Sequence, residues 1–172
     1  MRISAIGAAA LAAAFAACVA TWAPDSTARG TDRASLEARV RRLEDQADIE
    51  RLLMEYGAAL DRRDFAAYAS LFAREGEWSG STGDFKGRPA IQAAMEKAFP
   101  PSAEARPSSF HLLTNAIIDV DGDRATAVSK WTFVRLVDKK PIIALAGRYE
   151  DTLIREEGHW RFLKRVAPAI AP

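Results

Sequence analysis

The sequence predicts an α+β domain in which three to four N-terminal helices pack on a strongly curved antiparallel sheet and enclose a pocket. Apolar residues recur at helical spacing as far as Phe99, and beyond Pro107 the period changes from about 3.6 to about 2. The first three strand-like runs are much longer than the usual 5 to 6 residues, and Gly147 lies inside the third, which indicates a bent sheet. Helices followed by such a sheet form an α+β layering.

Four helical segments precede the sheet. The first carries a narrow stripe from Leu36 to Leu43, and Asp45 is expected to begin a second helix. The stripe of the second falls at i, i+3, i+4, i+7 and i+11, on Ile49, Leu52, Leu53, Tyr56 and Leu60. Asp64 is expected to cap a third helix through Phe72, and Pro89 lies in the first turn of a fourth.

Four strands then form a predicted meander. The runs are 109–120, 124–137, 142–154 and 160–166, separated by turn sequences rich in Asp, Lys, Pro, Glu and Gly. Because each turn is short, consecutive strands are expected to pair antiparallel.

The N-terminal residues read as an export signal followed by a leader. Arg2 precedes an apolar stretch at 5–20 that is short and alanine-rich for a membrane-spanning helix, which favours a cleaved secretory signal at 1–23. Phe15-Ala16-Ala17-Cys18 resembles a lipobox, and the alternative is ordinary cleavage after Ala20 or Ala23. We expect a flexible leader at 24–34, a domain at 35–168, and a periplasmic or extracellular location, with a lipid anchor at Cys18 if that residue is acylated.

Composition narrows the ligand class. Lysine and arginine number 24 against 23 aspartate and glutamate, so the formal charge of +1 gives no drive toward nucleic acid. Cys18 is the only cysteine, and the only histidines are His111 and His159, so no disulfide framework or metal site is predicted. We therefore expect a cofactor-free site whose partner is a small molecule or another protein.

Two segments carry a family resemblance. Residues 36–72 read LEARVRRLEDQADIERLLMEYGAALDRRDFAAYASLF, and residues 147–162 read GRYEDTLIREEGHWRF. They resemble the opening and the final strands of SnoaL-like proteins of the NTF2-like superfamily, within it the scytalone dehydratase and bile acid 7α-dehydratase branch. The resemblance implies a conical fold, a homodimer through the outer face of the sheet, and a small-molecule pocket. A shared fold does not fix the reaction.

In that branch an aspartate at the end of the long helix faces a histidine on the first strand of the meander, and the matching residues here are Asp61 and His111. Tyr56 matches a tyrosine of the bile acid enzyme. Elimination of water needs a base beside a carbonyl and an acid at the leaving hydroxyl, roles that a histidine held by a carboxylate can fill. The chain departs from the scytalone enzyme at Arg135 and Leu60, which stand in place of a second histidine and a tyrosine. Chemistry that needs those two groups is therefore not implied.

Strand alternation predicts which side chains face the pocket. His111 shares a face with Leu113, Asn115 and Ile117. The expected substrate-binding residues, taken from this alternation and from the aromatic content, are Trp78, Trp131, Phe133, Arg135, Tyr149 and Asp151. A buried Arg135 and Asp151 would each need a partner or a polar substrate group.

Each candidate also has a structural interpretation. Asp61 could bond the end of its helix or the adjacent arginines, and His111 and Tyr56 could be hydrogen-bonded core residues. Arg135 and Asp151 could form a structural ion pair. Two functions follow: a cofactor-independent dehydratase or isomerase that acts on a hydrophobic ring or polyketide-like substrate through Asp61 and His111, or a non-catalytic ligand-binding or interaction protein of the cell envelope.

Overall fold

The computed structural model describes residues 26–99 and 109–168, and contacts divide the chain into two units, 1–40 and 41–172. The described part of the first unit is helical and exposes Leu36 and Val40. The rest of that helix from Arg41, the other helices and the sheet belong to the second unit. The predicted signal at 1–23 and Cys18 lie outside the described residues, so both stay predictions.

The described residues form three helices and six strands. In chain order these are α1 Ser26–Arg62, α2 Phe65–Ser70, β1 Phe72–Gly80, β2 Gly83–Lys86, α3 Arg88–Ala98, β3 Ser109–Asp121, β4 Arg124–Val137, β5 Lys140–Glu156 and β6 His159–Ala167. The strands form one sheet in the order β2-β1-β6-β5-β4-β3, in which every neighbouring pair is antiparallel except β1 and β6. The predicted α+β fold is confirmed. Among the described helices, none is long and apolar enough to cross a membrane.

Helix α1 is continuous where the sequence predicted a leader and two helices. It begins at Ser26, inside the expected leader, and passes through Asp45 without a break. Asp45 does not cap the start of a second helix. Its carboxylate is instead buried against the sheet, where it accepts hydrogen bonds from Arg155 and from Trp160 Nε1. The stripe predicted for the second helix is confirmed, since Ile49, Leu52, Leu53, Tyr56 and Leu60 are all buried.

The region between Phe72 and Lys86 was not predicted. Phe72, expected at the end of a helix, instead starts β1, which pairs with the final strand and forms a hairpin with β2. The predicted cap of the preceding helix is confirmed, because the Asp64 carboxylate accepts a hydrogen bond from the Ala67 N–H at 3.0 Å.

The four predicted strands are confirmed, and bulges change which face some residues occupy. Between Thr114 and Ile117 the register of β3 shifts by one residue relative to β4, and Asn115 adopts a left-handed φ of 55°. An extra residue reverses the alternation. The prediction that Ile117 shares the face of His111 is therefore wrong, and Ile117 is 69% exposed.

Candidate functional site

Asp61 and His111 meet between the end of α1 and the start of β3. The Asp61 Oδ1 to His111 Nδ1 distance is 2.6 Å, and both carboxylate oxygens accept the His111 backbone N–H at 3.1 and 3.0 Å. The two side chains are 23% and 10% exposed, respectively. A carboxylate this close to Nδ1 accepts the Nδ1 proton, which leaves Nε2 as the basic nitrogen of the neutral ring.

The end of α1 explains why Asp61 is free to turn toward the sheet. Arg63 has a left-handed φ of 60°, and the Arg63 and Asp64 N–H groups bond the carbonyls of Leu60 and Ala59, so backbone groups close the helix. The alternative role of Asp61 as a helix-end partner is not what the contacts indicate. Within the described residues its recorded partner is His111 alone.

The surroundings of the His111 ring are apolar. Phe133 lies opposite on β4, with ring centroids 4.7 Å apart and planes inclined by 33°. On the helix side, a Cβ at Gly57 would lie 2.9 Å from Leu113 Cδ1 and 3.8 Å from His111 Cβ. The absence of a side chain at Gly57 therefore lets α1 approach β3 closely enough for Asp61 to reach the ring.

Tyr56 belongs to a second cluster of buried side chains, separate from the one that contains Asp61, His111 and Phe133. It is 2% exposed, and its hydroxyl accepts hydrogen bonds from Tyr68 at 2.6 Å and from Trp78 Nε1 at 3.1 Å. Five residues before Asp61 along a helix correspond to a rotation of roughly 140°, so the two side chains leave α1 in different directions. These contacts match the structural interpretation of Tyr56 as a core residue with its hydroxyl bonded.

A buried ion pair lies at the centre of this second cluster. Arg165 donates to Asp151 through Nε at 2.7 Å and Nη2 at 2.6 Å, and both side chains are fully buried. The guanidinium carbon lies 3.9, 4.0 and 4.1 Å from the ring centroids of Tyr56, Tyr149 and Phe162. Burial alone would lower the pKa of Arg165, but the Asp151 carboxylate outweighs that effect, so the pKa is raised and the charge is permanent.

Two phenols beside the ion pair remain neutral. Burial, followed by the proximity of Tyr56, raises the pKa of Tyr68 and of Tyr149 well above the ordinary 10.0. Both hydroxyls therefore act only as neutral donors or acceptors at physiological pH.

The ion pair shows that the prediction for Arg135 is wrong and that Arg165, which was not predicted, is the partner of Asp151. Arg135, expected in or near the cavity as a substrate-binding residue or as the partner of Asp151, is exposed near the end of β4, opposite Ser109 and Ile142. Arg165 takes its place because an extra residue in β6, between Phe162 and Lys164, reverses the alternation there. The available signal was the need of a buried Asp151 for a cation.

The remaining predicted residues line the interior of the sheet. Trp131 is buried and stacks on Tyr149 with ring centroids 5.7 Å apart, and its Nε1 donates to the Arg148 carbonyl at 3.2 Å. Trp78 stacks on Phe85 at 5.8 Å. The structure thus brings Asp61, His111 and Phe133 together and gathers Tyr56, Trp78, Trp131, Tyr149 and Asp151 around a separate charged centre.

Two cavities flank these clusters. One of about 410 Å³ is lined largely by charged and aromatic side chains of β1 and β2, among them Glu77, Trp78 and Lys86. The other, of about 180 Å³, lies between α1 and the β3 bulge. Over the described ranges 26–99 and 109–168, no group of three or more His, Cys, Asp and Glu side chains could hold a metal ion.

Comparison with known proteins identifies the family. Residues 41–166 match the SnoaL-like domain model. The uncharacterized protein Rv2910c of Mycobacterium tuberculosis is 28% identical, over 78% of this chain and 90% of its own length. An NTF2-like protein with a cystatin-like fold from Novosphingobium aromaticivorans is 29% identical, with a TM-score of 0.71 over 80% of this chain and 89% of that one. A candidate scytalone dehydratase from the same species is 25% identical, with a TM-score of 0.63 over 76% and 87% of the two chains. The chain therefore belongs to the SnoaL-like family of the NTF2-like superfamily.

Proposed function

We propose that this protein is a cofactor-independent dehydratase or isomerase in which Asp61 and His111 act as an acid–base pair on a hydrophobic ring or polyketide-like substrate. The observation that carries the proposal is the 2.6 Å contact between Asp61 Oδ1 and His111 Nδ1, beside an apolar wall at Phe133. The similarity to a candidate scytalone dehydratase supports the same reaction class.

The geometry suits proton abstraction beside a carbonyl. Asp61 holds the Nδ1 proton, so His111 Nε2 accepts a proton from the carbon next to the substrate carbonyl. The ring becomes an imidazolium that the carboxylate stabilises, and the substrate becomes an enolate. Such a positioned base contributes roughly 10²- to 10⁴-fold to the rate.

The proton on Nε2 then determines the product. If it is delivered to a hydroxyl on the next carbon, the C–O bond breaks, the enolate electrons form a C=C bond, and water leaves. If it is delivered to a conjugated carbon, the double bond moves and the product is an isomer. Both outcomes return His111 to its starting form without a metal or an organic cofactor.

The buried ion pair has a supporting role in this proposal. Because Arg165 and Asp151 are fully buried, neither touches a substrate in this conformation. The Arg165 guanidinium packs against the rings of Tyr56 and Tyr149 in the separate cluster. We therefore assign no catalytic step to Tyr56.

Solvent deuterium exchange tests the proton-transfer step without requiring a leaving group. A panel of bicyclic ring ketones and their β-hydroxy derivatives is incubated with the protein in D₂O, and mass spectrometry follows deuterium at the carbon beside the carbonyl. We expect exchange with the native protein and a loss of roughly 10²-fold or more in His111→Gln. His159→Gln is the matched control, because His159 is exposed at the start of β6.

Asp61→Asn separates charge from position. The asparagine oxygen can still accept the His111 backbone N–H, but its amide group would donate toward Nδ1, so the ring proton moves to Nε2 and the base is lost. ¹⁵N spectra of the imidazole should report this change of tautomer. Exchange at an unchanged rate in both Asp61→Asn and His111→Gln would rule out the pair as the catalytic group.

A non-catalytic envelope protein is the second candidate function, favoured by the predicted export signal at 1–23. Under this alternative the panel ligands bind but no deuterium is incorporated. Mass analysis of the protein from the producing cell distinguishes cleavage after Ala20 or Ala23 from acylation at Cys18. Recovery of the unprocessed chain from the cytoplasm would contradict the proposed export.

A further inference from the structure

The apolar wall beside His111 continues across the sheet onto β5. His111 lies opposite Phe133 on β4, and Phe133 lies opposite Leu145 on β5, so the three residues form one row. Residues directly opposite one another in an antiparallel pair point to the same face of the sheet. This is the face of the buried Trp131, two residues before Phe133 on β4. Leu145 therefore extends the wall of the candidate site on the interior face.

Two further apolar side chains follow on this face toward the β4–β5 turn. Ile142 lies opposite Arg135, which shares the face of Phe133 because the two are two residues apart on β4. One extra residue in β5 between Ile142 and Leu145 keeps both of them on this face despite their odd spacing. Val137 is the next residue of β4 on the same side. The β5 strip, formed by Leu145, Ile142 and Val137, is open, since these side chains are 54%, 44% and 43% exposed.

The homodimer expected through the outer face of the sheet leaves the β5 strip uncovered. Leu112 and Leu136 are exposed on that outer face, because each is one residue away from a member of the interior rows, His111 and Arg135. Adjoining apolar side chains that stay exposed mark a surface for a ligand or a partner. Because the strip begins beside Phe133, whose ring packs against that of His111, a molecule bound at His111 is placed to cover it.

We propose that the substrate carries an uncharged apolar extension, an alkyl chain or a further ring, which lies along the β5 strip while the reactive ring lies at His111. The inference rests on the proposed function and names the substrate class of the same site. Adjacent strands are about 5 Å apart, so Leu145, on the second strand from His111, is about 10 Å away. The exposed guanidinium of Arg135 borders the strip and disfavours a cationic extension. Leu145 and Ile142 are therefore specificity-determining residues.

Isothermal titration calorimetry with 4-alkylcyclohexanones measures this preference without requiring turnover. The probes carry a methyl, butyl or hexyl chain on the ring. A methylene that is covered on one side should tighten binding about twofold, so we expect the hexyl compound to bind about 30-fold more tightly than the methyl compound.

Substitutions on the two faces of the sheet complete the test. Leu145→Asn should weaken binding of the hexyl compound about fivefold or more and leave the methyl compound unchanged. Leu136→Asn is the matched control, because Leu136 is 49% exposed on the outer face of the same hairpin. An equal hexyl preference in both variants would overturn the proposal, as would a native chain that binds none of the probes or shows no preference for chain length.

The His111→Gln variant separates this inference from the proposed function. It lacks the base but keeps Phe133 and the β5 strip, so the preference for the hexyl compound should survive while deuterium exchange is lost. Chain-length preference without any exchange in the native protein would contradict the proposed function alone. Exchange with binding that is independent of chain length would contradict this inference alone.

Discussion

Replacing Asp151 by asparagine should be among the most destabilising single changes in this protein. The native carboxylate accepts two charge-assisted hydrogen bonds, at 2.7 and 2.6 Å, from a guanidinium that is itself fully buried. Asparagine keeps the shape but removes the negative charge, and its amide protons face the cationic Arg165. Removal of one partner from such a pair lowers the free energy of unfolding by about 3–5 kcal/mol, because the remaining charge stays buried without compensation.

Two comparison variants distinguish burial of charge from loss of a contact. Asp151→Leu combined with Arg165→Met removes both charges, and we expect it to recover most of the lost stability. Glu150→Gln, one residue away, breaks the exposed ion pair between Glu150 and Arg148. The Arg148 side chain is 63% exposed and the Glu150 side chain is 44% exposed. Solvent screens that pair, so the change should be below about 1 kcal/mol.

Urea unfolding followed by tryptophan fluorescence measures these differences, since the chain contains four tryptophans. Linear extrapolation gives the free energy of unfolding, and an unchanged m-value confirms that the same surface is exposed in each variant. An Asp151→Asn loss no larger than that of Glu150→Gln would refute the reasoning, because it would mean that Arg165 is not dependent on Asp151 for compensation.

Three further predictions concern ionisation, packing and assembly. Burial raises the pKa of Tyr68 and Tyr149 above the 10.0 of the unfolded chain, so above pH 10.0 the unfolded state binds fewer protons than the folded state. The contribution of these phenols to the free energy of unfolding is therefore complete below pH 10.0 and is lost as the pH rises toward the folded pKa values. Urea midpoints should fall above pH 10.0 and fall less steeply in Tyr68→Phe. Gly57→Val should destabilise by about 1–3 kcal/mol in the same assay, because even one Cβ would lie 2.9 Å from Leu113 Cδ1. Leu112 is 47% exposed on β3 and belongs to the outer face of the sheet, through which we propose that the protein forms a homodimer. Leu112→Glu should convert the dimer to a monomer in sedimentation velocity. A native protein that is already monomeric would contradict the proposal.

Local sequence patterns were sufficient to predict the regular helices, strands and turns. The helical stripe from Ile49 to Leu60 is buried as its spacing predicts, and the turns at 138–139 and 157–158 contain the left-handed residues that tight hairpins require. Strand β1 escaped prediction because its burial does not follow a two-residue period, and its neighbour in the sheet is β6, far away in sequence. Pairing between distant segments leaves no signal in a local window.

Bulges mark the limit of sequence reasoning within the predicted strands. One extra residue in β3 moves Ile117 to the outside, and one in β6 moves Arg165 to the inside. Neither insertion can be read from alternation, because alternation assumes an unbroken ladder. Both bulges lie next to polar interior positions, Ser129 in one case and Asp151 in the other, so the departures from regular pairing coincide with the unusual chemistry of the core.

The contact between Asp61 and His111 could be expected from resemblance but not from spacing, since fifty residues separate them. The structure adds that Asp61 also accepts the His111 backbone N–H, which attaches the end of α1 to β3. A single carboxylate therefore fixes the strand and the ring tautomer together. Loss of the proposed activity in Asp61→Ala would not separate these roles, because both are removed at once. Only a variant such as Asp61→Asn, which retains an acceptor for the strand and reverses the tautomer, tests whether the orientation of the base is the property that the fold maintains.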